Sequence, residues 1–137
     1  MASHLWRTKA TGFAGGNLHL PLQTHNPNMP LKKRLEKIHE VCELVKFDRP
    51  LNLRPVDLSM GEKKKIAFAR ALINNPEVLF LDECTESLDR KSGTEILGIL
   101  EKFIESGRTI IYVSHSSFFV TRIAGNIHVI DEGLLSE

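Results

Sequence analysis

The sequence predicts an α/β protein with a mainly parallel sheet. Two short apolar runs, residues 78–81 and 109–113, are typical of strands that are buried on both faces. Between them, residues 90–105 have the apolar spacing of an amphipathic helix, and Gly107 can cap its C-terminus. A strand, a helix and a second strand in this order favour parallel pairing, because the helix carries the chain back to the start of the sheet. The inward face of the helix is predicted to be Ile96, Leu97, Leu100, Phe103 and Ile104.

Two more helices are predicted before the first strand. Apolar residues recur every three or four positions between residues 31 and 45, which predicts one buried helix face. Ser59 and Glu62 have the spacing of a capping box, so a second helix is expected to begin there and to run to about Asn74. The buried face of the first of these helices is predicted to be Leu31, Leu35, Ile38, Cys42 and Val45.

The two ends of the sequence carry weaker signals. Residues 1–30 show no sustained periodicity, and the glycines within residues 12–16 predict a flexible turn. Towards the C-terminus, residues 116–123 favour a short helix. Residues 127–130 and 134–135 favour two strands joined by a turn at residues 131–133.

The composition excludes several classes of function. The 18 basic and 17 acidic side chains give a formal charge of +1, so no overall charge favours a nucleic acid or a membrane surface. The three lysines at positions 63–65 are interpreted as a solvated helix face, and no nucleic-acid partner is expected. Cys42 and Cys84 lack both metal-ligand spacing and a disulfide pattern, which favours a reducing compartment. No stretch is apolar over the roughly 18 residues of a membrane span.

Polar residues follow both predicted strands at their carboxyl ends, where α/β sheets bind ligands. Asp82 and Glu83 follow the first strand, and Ser114 and His115 follow the second. Phosphoryl transfer to water needs a metal ion, a group that orients the water and a donor to the γ-phosphate. Asp82 suits the metal, Glu83 suits the water and His115 suits the phosphate, so these strand ends can surround one polyphosphate.

An isolated Asp-Glu pair is more often a solvated strand end than a catalytic pair, so the order of the neighbouring segments decides. Residues 58–62 (LSMGE) and the helix through residues 69–72 (ARAL) resemble the signature motif of ABC ATPases. Residues 79–83 (LFLDE) resemble Walker B, residues 87–89 (SLD) resemble the D-loop, and residues 114–115 (SH) resemble the switch-histidine loop. Because four segments occur in this order, the chain is identified as similar to the ATP-binding subunits of ABC transporters.

This resemblance implies ATP and Mg²⁺ as cofactors, with Asp82 at the metal and Glu83 and His115 as the catalytic residues. It also implies a second ABC ATPase subunit and a transmembrane permease as partners, with the chain held on the cytoplasmic side of the membrane through the permease. The remaining implied site residues would meet ATP held by the opposing subunit or lie at the same interface: Ser59, Gly61, Glu62 and Asp89.

The sequence departs from the family pattern at several of these positions. Met60 replaces a glycine of the signature, Glu62 stands where glutamine is common, and Cys84 stands where proline usually follows the catalytic glutamate. Ser116 occupies a position that often holds aspartate, and Lys65 one that commonly holds arginine. Met60 adds a side chain where the backbone is expected to approach phosphate, and Ser116 bears on the fine positioning around His115.

The largest departure is the phosphate-binding loop. ABC ATPases hold the β- and γ-phosphates with a G-x-x-x-x-G-K-[ST] loop, and the sequence contains none. Residues 17–22 resemble the segment after the Q-loop, so the chain is expected to begin after Walker A and to be inactive alone. The expected fold is a partial P-loop NTPase. Residues 1–16 are poorly defined, residues 17–75 form part of the helical subdomain, and residues 76–137 form the C-terminal part of the core.

Two alternatives remain open at this stage. The chain can be a non-catalytic partner that supplies its signature motif to ATP bound on a full-length subunit. It can also be a fragment of an SMC-type DNA-maintenance ATPase, which pairs similar motifs. The absence of a sustained heptad pattern argues against the second alternative, because those ATPases insert long coiled coils between their halves.

Overall fold

The computed structural model describes residues 13–86, 88–123, 125–131 and 134–136. The predictions for residues 1–12, for Ser87 and for the turn residues 132–133 lie outside these ranges. The described elements, in chain order, are α1 (Ala14–His25), α2 (Leu31–Leu44), a 3₁₀ turn (Pro55–Asp57), α3 (Met60–Leu72), β1 (Val78–Asp82), α4 (Arg90–Glu105), β2 (Thr109–Val113), α5 (Ser117–Ile123), β3 (Val129–Asp131) and β4 (Leu134–Ser136).

Strands β1 and β2 pair in parallel, as the sequence predicts, with Val78 opposite Thr109 and Asp82 opposite Val113. Strands β3 and β4 form a separate antiparallel pair. The prediction that β1 and β2 are buried on both faces is wrong. In β1 burial alternates, and the side chain of Phe80 is 54% exposed. In β2 no residue is fully buried. The described elements cover only one face of this two-stranded sheet.

Helix α2 confirms the predicted amphipathic helix, but only part of its predicted buried face. Ile38 and Cys42 are buried, together with Val41. Leu31 and Leu35 are exposed, because α2 buries its later turns and leaves its first turn outside the core. The same kind of error occurs at the end of α4, where Ile104 is exposed while the four preceding apolar residues of its predicted face are buried.

The glycine-rich segment is not a turn where the structure describes it. Residues 14–16 form the first turn of α1, so that part of the prediction is wrong. The amides of Ala14 and Gly15 donate to the carbonyl oxygens of Leu53 and Leu51 at 2.9 and 2.8 Å. A β-carbon on residue 15 would lie 3.1 Å from the Leu51 Cβ and 3.2 Å from its carbonyl oxygen. Glycine therefore eases the close approach of the loop to the first turn of α1, and it does not form a flexible turn.

A shared core joins the helices to the sheet. Helices α1, α2 and α3 pack against one another, and α4 packs against β2 and α5. Leu79 and Leu81 of β1 belong to the same buried cluster as Ile96 and Leu100 of α4. Gly107 ends α4 with a φ of +81°, which confirms its predicted role as a cap. Among the described helices, none is both long enough and apolar enough to cross a bilayer.

Candidate functional site

The carboxyl ends of β1 and β2 hold three of the predicted site residues. Asp82 is the last residue of β1, and Glu83 follows it with a φ of +48°. This left-handed conformation is costly for a residue with a β-carbon. It is supported by a hydrogen bond of 2.9 Å from the Glu83 amide to the Val113 carbonyl, which extends the β1–β2 ladder by one residue. The Glu83 side chain thereby leaves the sheet at its end.

Glu83 and His115 are in direct contact. The Glu83 Oε1 atom accepts a hydrogen bond of 3.1 Å from the His115 amide, and the His115 Nε2 atom lies 3.3 Å from the same oxygen. The His115 side chain is 96% exposed, whereas that of Glu83 is 26% exposed. One carboxylate therefore contacts both the backbone amide and the exposed ring of His115.

Asp82 is half-buried at the same edge. A carboxylate is the hard oxygen donor that Mg²⁺ prefers, and Mg²⁺ keeps several waters while it binds one or two protein carboxylates and substrate phosphates. Within the described ranges, no group of three or more histidine, cysteine or acidic side chains is arranged to hold a metal ion. Asp82 is a single carboxylate at the strand end, which is the type of protein ligand that Mg²⁺ uses beside water and phosphate.

The N-terminus of α3 has the predicted capping box. The Glu62 amide donates to the Ser59 Oγ at 3.2 Å, and the Ser59 amide donates to the Glu62 Oε2 at 2.7 Å. The bond from the Ser59 amide holds the pKa of Glu62 below its usual range. Met60, between them, is 55% exposed. The helix thus presents its first turn at the surface, with Ser59 and Glu62 engaged in capping.

Asp89 caps α4, and its cap lies against the start of α3. The Asp89 Oδ1 accepts from the Ser92 amide at 3.0 Å, and its Oδ2 accepts from the Ser92 Oγ at 2.7 Å. The Ser92 amide bond is the main cause that lowers the pKa of Asp89. A β-carbon on residue 61 would lie 2.9 Å from the Ser92 Oγ and 3.9 Å from the Asp89 Oδ2. The structure therefore brings Gly61 and Asp89 together.

The sequence reasoning missed Lys64. Its ammonium group donates to the Glu86 carbonyl, which ties α3 to the loop that follows β1. Burial lowers the pKa of Lys64, and the nearby charges of Glu86 and Glu83 act in the opposite direction. The interpretation of residues 63–65 as a solvated helix face is therefore wrong for Lys64. It is also wrong for Lys65, whose side chain is 15% exposed and whose Nζ lies 2.8 Å from the Glu95 Oε2. The run of three lysines itself does not distinguish these two from Lys63.

A second missed contact links the two strand ends. The hydroxyl groups of Thr85 and Tyr112 lie 2.7 Å apart. Thr85 is buried. Burial raises the pKa of Tyr112, and its hydrogen bonds with Ser114 and Thr85 act in the opposite direction. Cys84 is fully buried beside them, and burial raises the pKa of its thiol to about 12. This agrees with an inert thiol rather than a reactive one.

Comparison with known proteins gives a consistent match. The family described as ABC transporter matches residues 4–86. The methionine import ATP-binding protein MetN of Francisella tularensis subsp. holarctica (strain OSU18) is 38% identical over 123 residues, which is 88% of this chain and 34% of that protein. MetN of Pasteurella multocida (strain Pm70) is 37% identical over 123 residues, 89% of this chain and 35% of that protein. The chain thus spans about a third of the length of these relatives.

Solved structures match in the same way. The ATP-binding cassette MJ0796, solved as a dimer in a post-hydrolysis state bound to ADP and Pi, superposes with a TM-score of 0.78 at 30% identity. The match covers 87% of this chain and 53% of that one. An ABC transporter of metal-chelate type, in an inward-facing conformation, gives a TM-score of 0.82 over 95% of this chain and 53% of that one. At 17% identity, this second likeness supports the fold alone.

Proposed function

Because the chain belongs to the ABC transporter family, we propose that it is part of an ATP-binding and ATP-hydrolysing subunit whose ATPase cycle drives solute transport. The observation that carries this proposal is the contact of Glu83 with His115 next to Asp82, at the carboxyl ends of two paired parallel strands. These residues supply a metal ligand, a carboxylate for the water and a donor to phosphate.

In the proposed reaction, Asp82 would hold Mg²⁺, which when bound would supply positive charge to the phosphate oxygens. Glu83 orients the attacking water, and the ring of His115 donates to an oxygen of the γ-phosphate. Both roles require the ring to leave the Glu83 Oε1. The rotation meets little resistance, because the His115 side chain is 96% exposed. The bond from the His115 amide to Glu83 can persist during this rotation and keeps the carboxylate at the strand end.

The first turn of α3 serves a second ATP-binding subunit in this proposal. Ser59 and the free amides of the first turn face the γ-phosphate of ATP held by the opposing subunit, where the positive end of the helix favours an anion. Asp89 lies at the same interface, since its capped helix contacts Gly61. Glu62 is charged at neutral pH, so its part is to hold Ser59 in place rather than to touch the phosphate.

The assembly that follows is a pair of ATP-binding subunits on the cytoplasmic face of a transmembrane permease. Within it, residues 17–75 belong to the helical subdomain and residues 76–137 to the C-terminal part of the core. The 137-residue sequence contains no phosphate-binding loop. We therefore propose that these 137 residues alone do not hydrolyse ATP.

The catalytic roles are tested in a chimera. The matched region of the Pasteurella multocida relative is replaced by residues 13–137 of this chain, and ATP hydrolysis and ATP binding are measured separately. We expect hydrolysis that falls about a thousandfold in Glu83→Gln while ATP binding persists, since a group that orients water acts mainly in the transition state. The control is Glu86→Gln, the same change three residues later, where the described hydrogen bonds are made by the backbone. Equal activity in both variants would refute the role of Glu83.

The second candidate is a non-catalytic partner that completes ATP sites on a full-length subunit. The exposed first turn of α3, with Met60 55% exposed, favours it. The assay mixes this chain with a full-length subunit whose own signature serine has been replaced by arginine. Restored hydrolysis should disappear with Ser59→Arg and survive Ser117→Arg, an exposed position on α5. It should also survive Glu83→Gln, because the full-length subunit then supplies the catalytic carboxylate.

A further inference from the structure

A groove on the side of α4 lies apart from the residues discussed above. Its floor is one face of α4 from Arg90 to Lys102, and the end of α2 with Lys46 forms one wall. The volume is about 690 Å³, within the range of roughly 300–1,000 Å³ that is typical of small-ligand sites. Along the helix axis the groove runs for about 18 Å. Neither the ATP site nor the signature motif uses these residues.

The charges around the groove are unbalanced. Four of its lining side chains are cationic, Lys46, Arg90, Lys91 and Lys102, whereas Glu95 is the single carboxylate among them. Glu95 already pairs with a cation from outside the lining, since its Oε2 lies 2.8 Å from the Lys65 Nζ. Lys46 and Lys91 also lie close enough to contribute to its lowered pKa. The groove therefore keeps an excess of positive charge for an anion.

The middle of the groove is apolar and open. Ile99 and Leu44 contribute apolar surface. Between the cationic positions, Gly98 leaves a gap in the floor that α4 forms. Nothing lies within 4 Å of the position that a β-carbon on residue 98 would take. Glycine inside a helix costs stability, and at this position no packing contact among the described residues requires it. The missing side chain therefore leaves open space over α4 at this position.

Lys46 occupies its place against a conformational preference. It follows α2 with a φ of +53°, at the position of a helix C-terminus where glycine is favoured. Its amide donates to the Glu43 carbonyl at 3.0 Å, and the Phe47 amide donates to the Cys42 carbonyl at 2.8 Å. These two bonds form a Schellman motif, which a glycine would form with less strain. The lysine there adds a cation to the groove wall at a cost to the fold.

We propose that this groove binds a small organic phosphate, a compound with one phosphate group on an apolar or aromatic body. The cationic side chains at one end of the groove, together with Lys46 of the wall, bind the phosphate, and the surface around Gly98, Ile99 and Leu44 receives the apolar body. A ligand with only a phosphate group would leave the apolar floor uncovered, and a ligand with only an apolar body would leave the positive charge unpaired.

The test uses the full 137-residue chain and 1-naphthyl phosphate, which carries both parts and is not a nucleotide. Binding is followed by calorimetry and by the amide signals of α4 in ¹H–¹⁵N NMR spectra. We expect 1-naphthyl phosphate to bind at least about tenfold more tightly than inorganic phosphate or 1-naphthol, since each lacks one of the two contributions. Shifts should centre on the amides of Gly98 and Ile99. Equal affinity of all three compounds, or shifts centred elsewhere, would overturn the proposal.

Charge variants distinguish binding in the groove from general electrostatic attraction to the protein surface. The double variant Lys91→Glu/Lys102→Glu should weaken binding of the probe by about tenfold or more, because charge-assisted bonds to the phosphate are replaced by repulsion. The matched control is Lys32→Glu/Lys33→Glu, the same change of charge at exposed positions in the first turn of α2. Equal weakening in both double variants would show that only the overall charge matters, and the proposed site would be rejected.

Two further variants keep the test valid even if charge reversal disturbs folding. Lys46→Gly should raise the melting temperature, because glycine relieves the left-handed conformation, and should weaken the probe several-fold. Gly98→Leu should leave the fold intact and block the probe, since its side chain enters space that is open in the groove. A folded Gly98→Leu variant with unchanged affinity would place the ligand elsewhere and refute the proposal.

Discussion

The contact between Gly61 and Ser92 predicts that the effect of Gly61→Ala on the free energy of unfolding depends on residue 92. Gly61 lies in the first turn of α3, and Ser92 lies in the first turn of α4. Gly61→Ala places a β-carbon 2.9 Å from the Ser92 Oγ, closer than such atoms approach. The hydroxyl group must rotate away and then loses its bond of 2.7 Å to the Asp89 Oδ2. The first turns of both helices are therefore coupled through a single side chain.

The magnitude follows from helix propensity. At an uncrowded helical position, glycine to alanine stabilises by about 0.5–1 kcal/mol. In the wild-type background we expect this gain to be cancelled or reversed. In a Ser92→Ala background the nearest remaining atom is the Cβ of residue 92 at 3.5 Å, an ordinary contact, so the gain should return. The double-mutant cycle should thus show a coupling free energy of at least about 0.5 kcal/mol.

The assay is the free energy of unfolding from urea titrations of the four proteins in the cycle, with melting temperatures as a second readout. The expected gain in the Ser92→Ala background corresponds to roughly 2–4 °C. Gly98→Ala is the control, because its β-carbon meets nothing within 4 Å, and it should stabilise equally in both backgrounds. If Gly61→Ala stabilises the wild-type protein as much as Gly98→Ala does, the reasoning about this contact is wrong.

Three other predictions concern the strand ends and the cap of α3. Tyr112→Phe should lower the free energy of unfolding by about 1 kcal/mol in urea titrations, because the buried hydroxyl of Thr85 loses its partner. Glu62→Gln should remove part of the acid sensitivity of the fold. The folded-state pKa of Glu62 is lowered, so the stability that its charge gives is present above its usual value of 4.5 and is lost as the pH falls through the lowered value. The thiol of Cys84 should resist iodoacetamide at pH 8 until the protein unfolds, since burial raises its pKa to about 12.

Each of these predictions has its own control. Adding Thr85→Val to Tyr112→Phe should cost less than the sum of the two single changes, whereas strict additivity would show that the hydroxyl pair contributes nothing. For Glu62, the free energy of unfolding is measured between pH 5 and pH 3 in wild type and in Glu62→Gln. An equal decrease in both proteins would show that the charge of Glu62 does not contribute to the pH dependence of stability. Cys42 also has a buried thiol, and burial raises its pKa to about 11. Alkylation is therefore followed in a Cys42→Ala variant, so that the signal comes from Cys84.

The sequence predicts those parts of the fold that depend on local contacts. The capping box of α3 and the glycine cap of α4 are decided within a few residues, and both are confirmed. The exposure of Phe80 depends on which elements cover the sheet, and no local pattern carries that information. The prediction of a turn at the glycines that begin α1 is wrong for a similar reason. The carbonyl groups of residues 51 and 53, which are distant in sequence, stabilise that helical turn. Tertiary contacts override local propensity at both places.

The candidate site follows the same division. Asp82, Glu83 and His115 could be brought together from the sequence, because the carboxyl ends of adjacent parallel strands share one edge. Lys64 could not be found in this way. Only the packing of α3 against the loop after β1 selects it from its neighbours. The contact between Gly61 and Ser92 was equally hidden, since the sequence explains the glycine by the approach of phosphate alone.

These hidden contacts bear on how the motifs act together under the proposed function. Helix α3 is tied to α4 by the salt bridge from Lys65 to Glu95, whose side chains are 15% and 18% exposed, and by the contact of Gly61 with Ser92. Lys64 ties the same helix to the loop that begins with Glu83. A phosphate held by an opposing subunit against the first turn of α3 would therefore meet a helix that contacts both the cap of α4 and the loop after the proposed catalytic carboxylate. We infer that binding at the subunit interface can influence the position of Glu83 through these contacts.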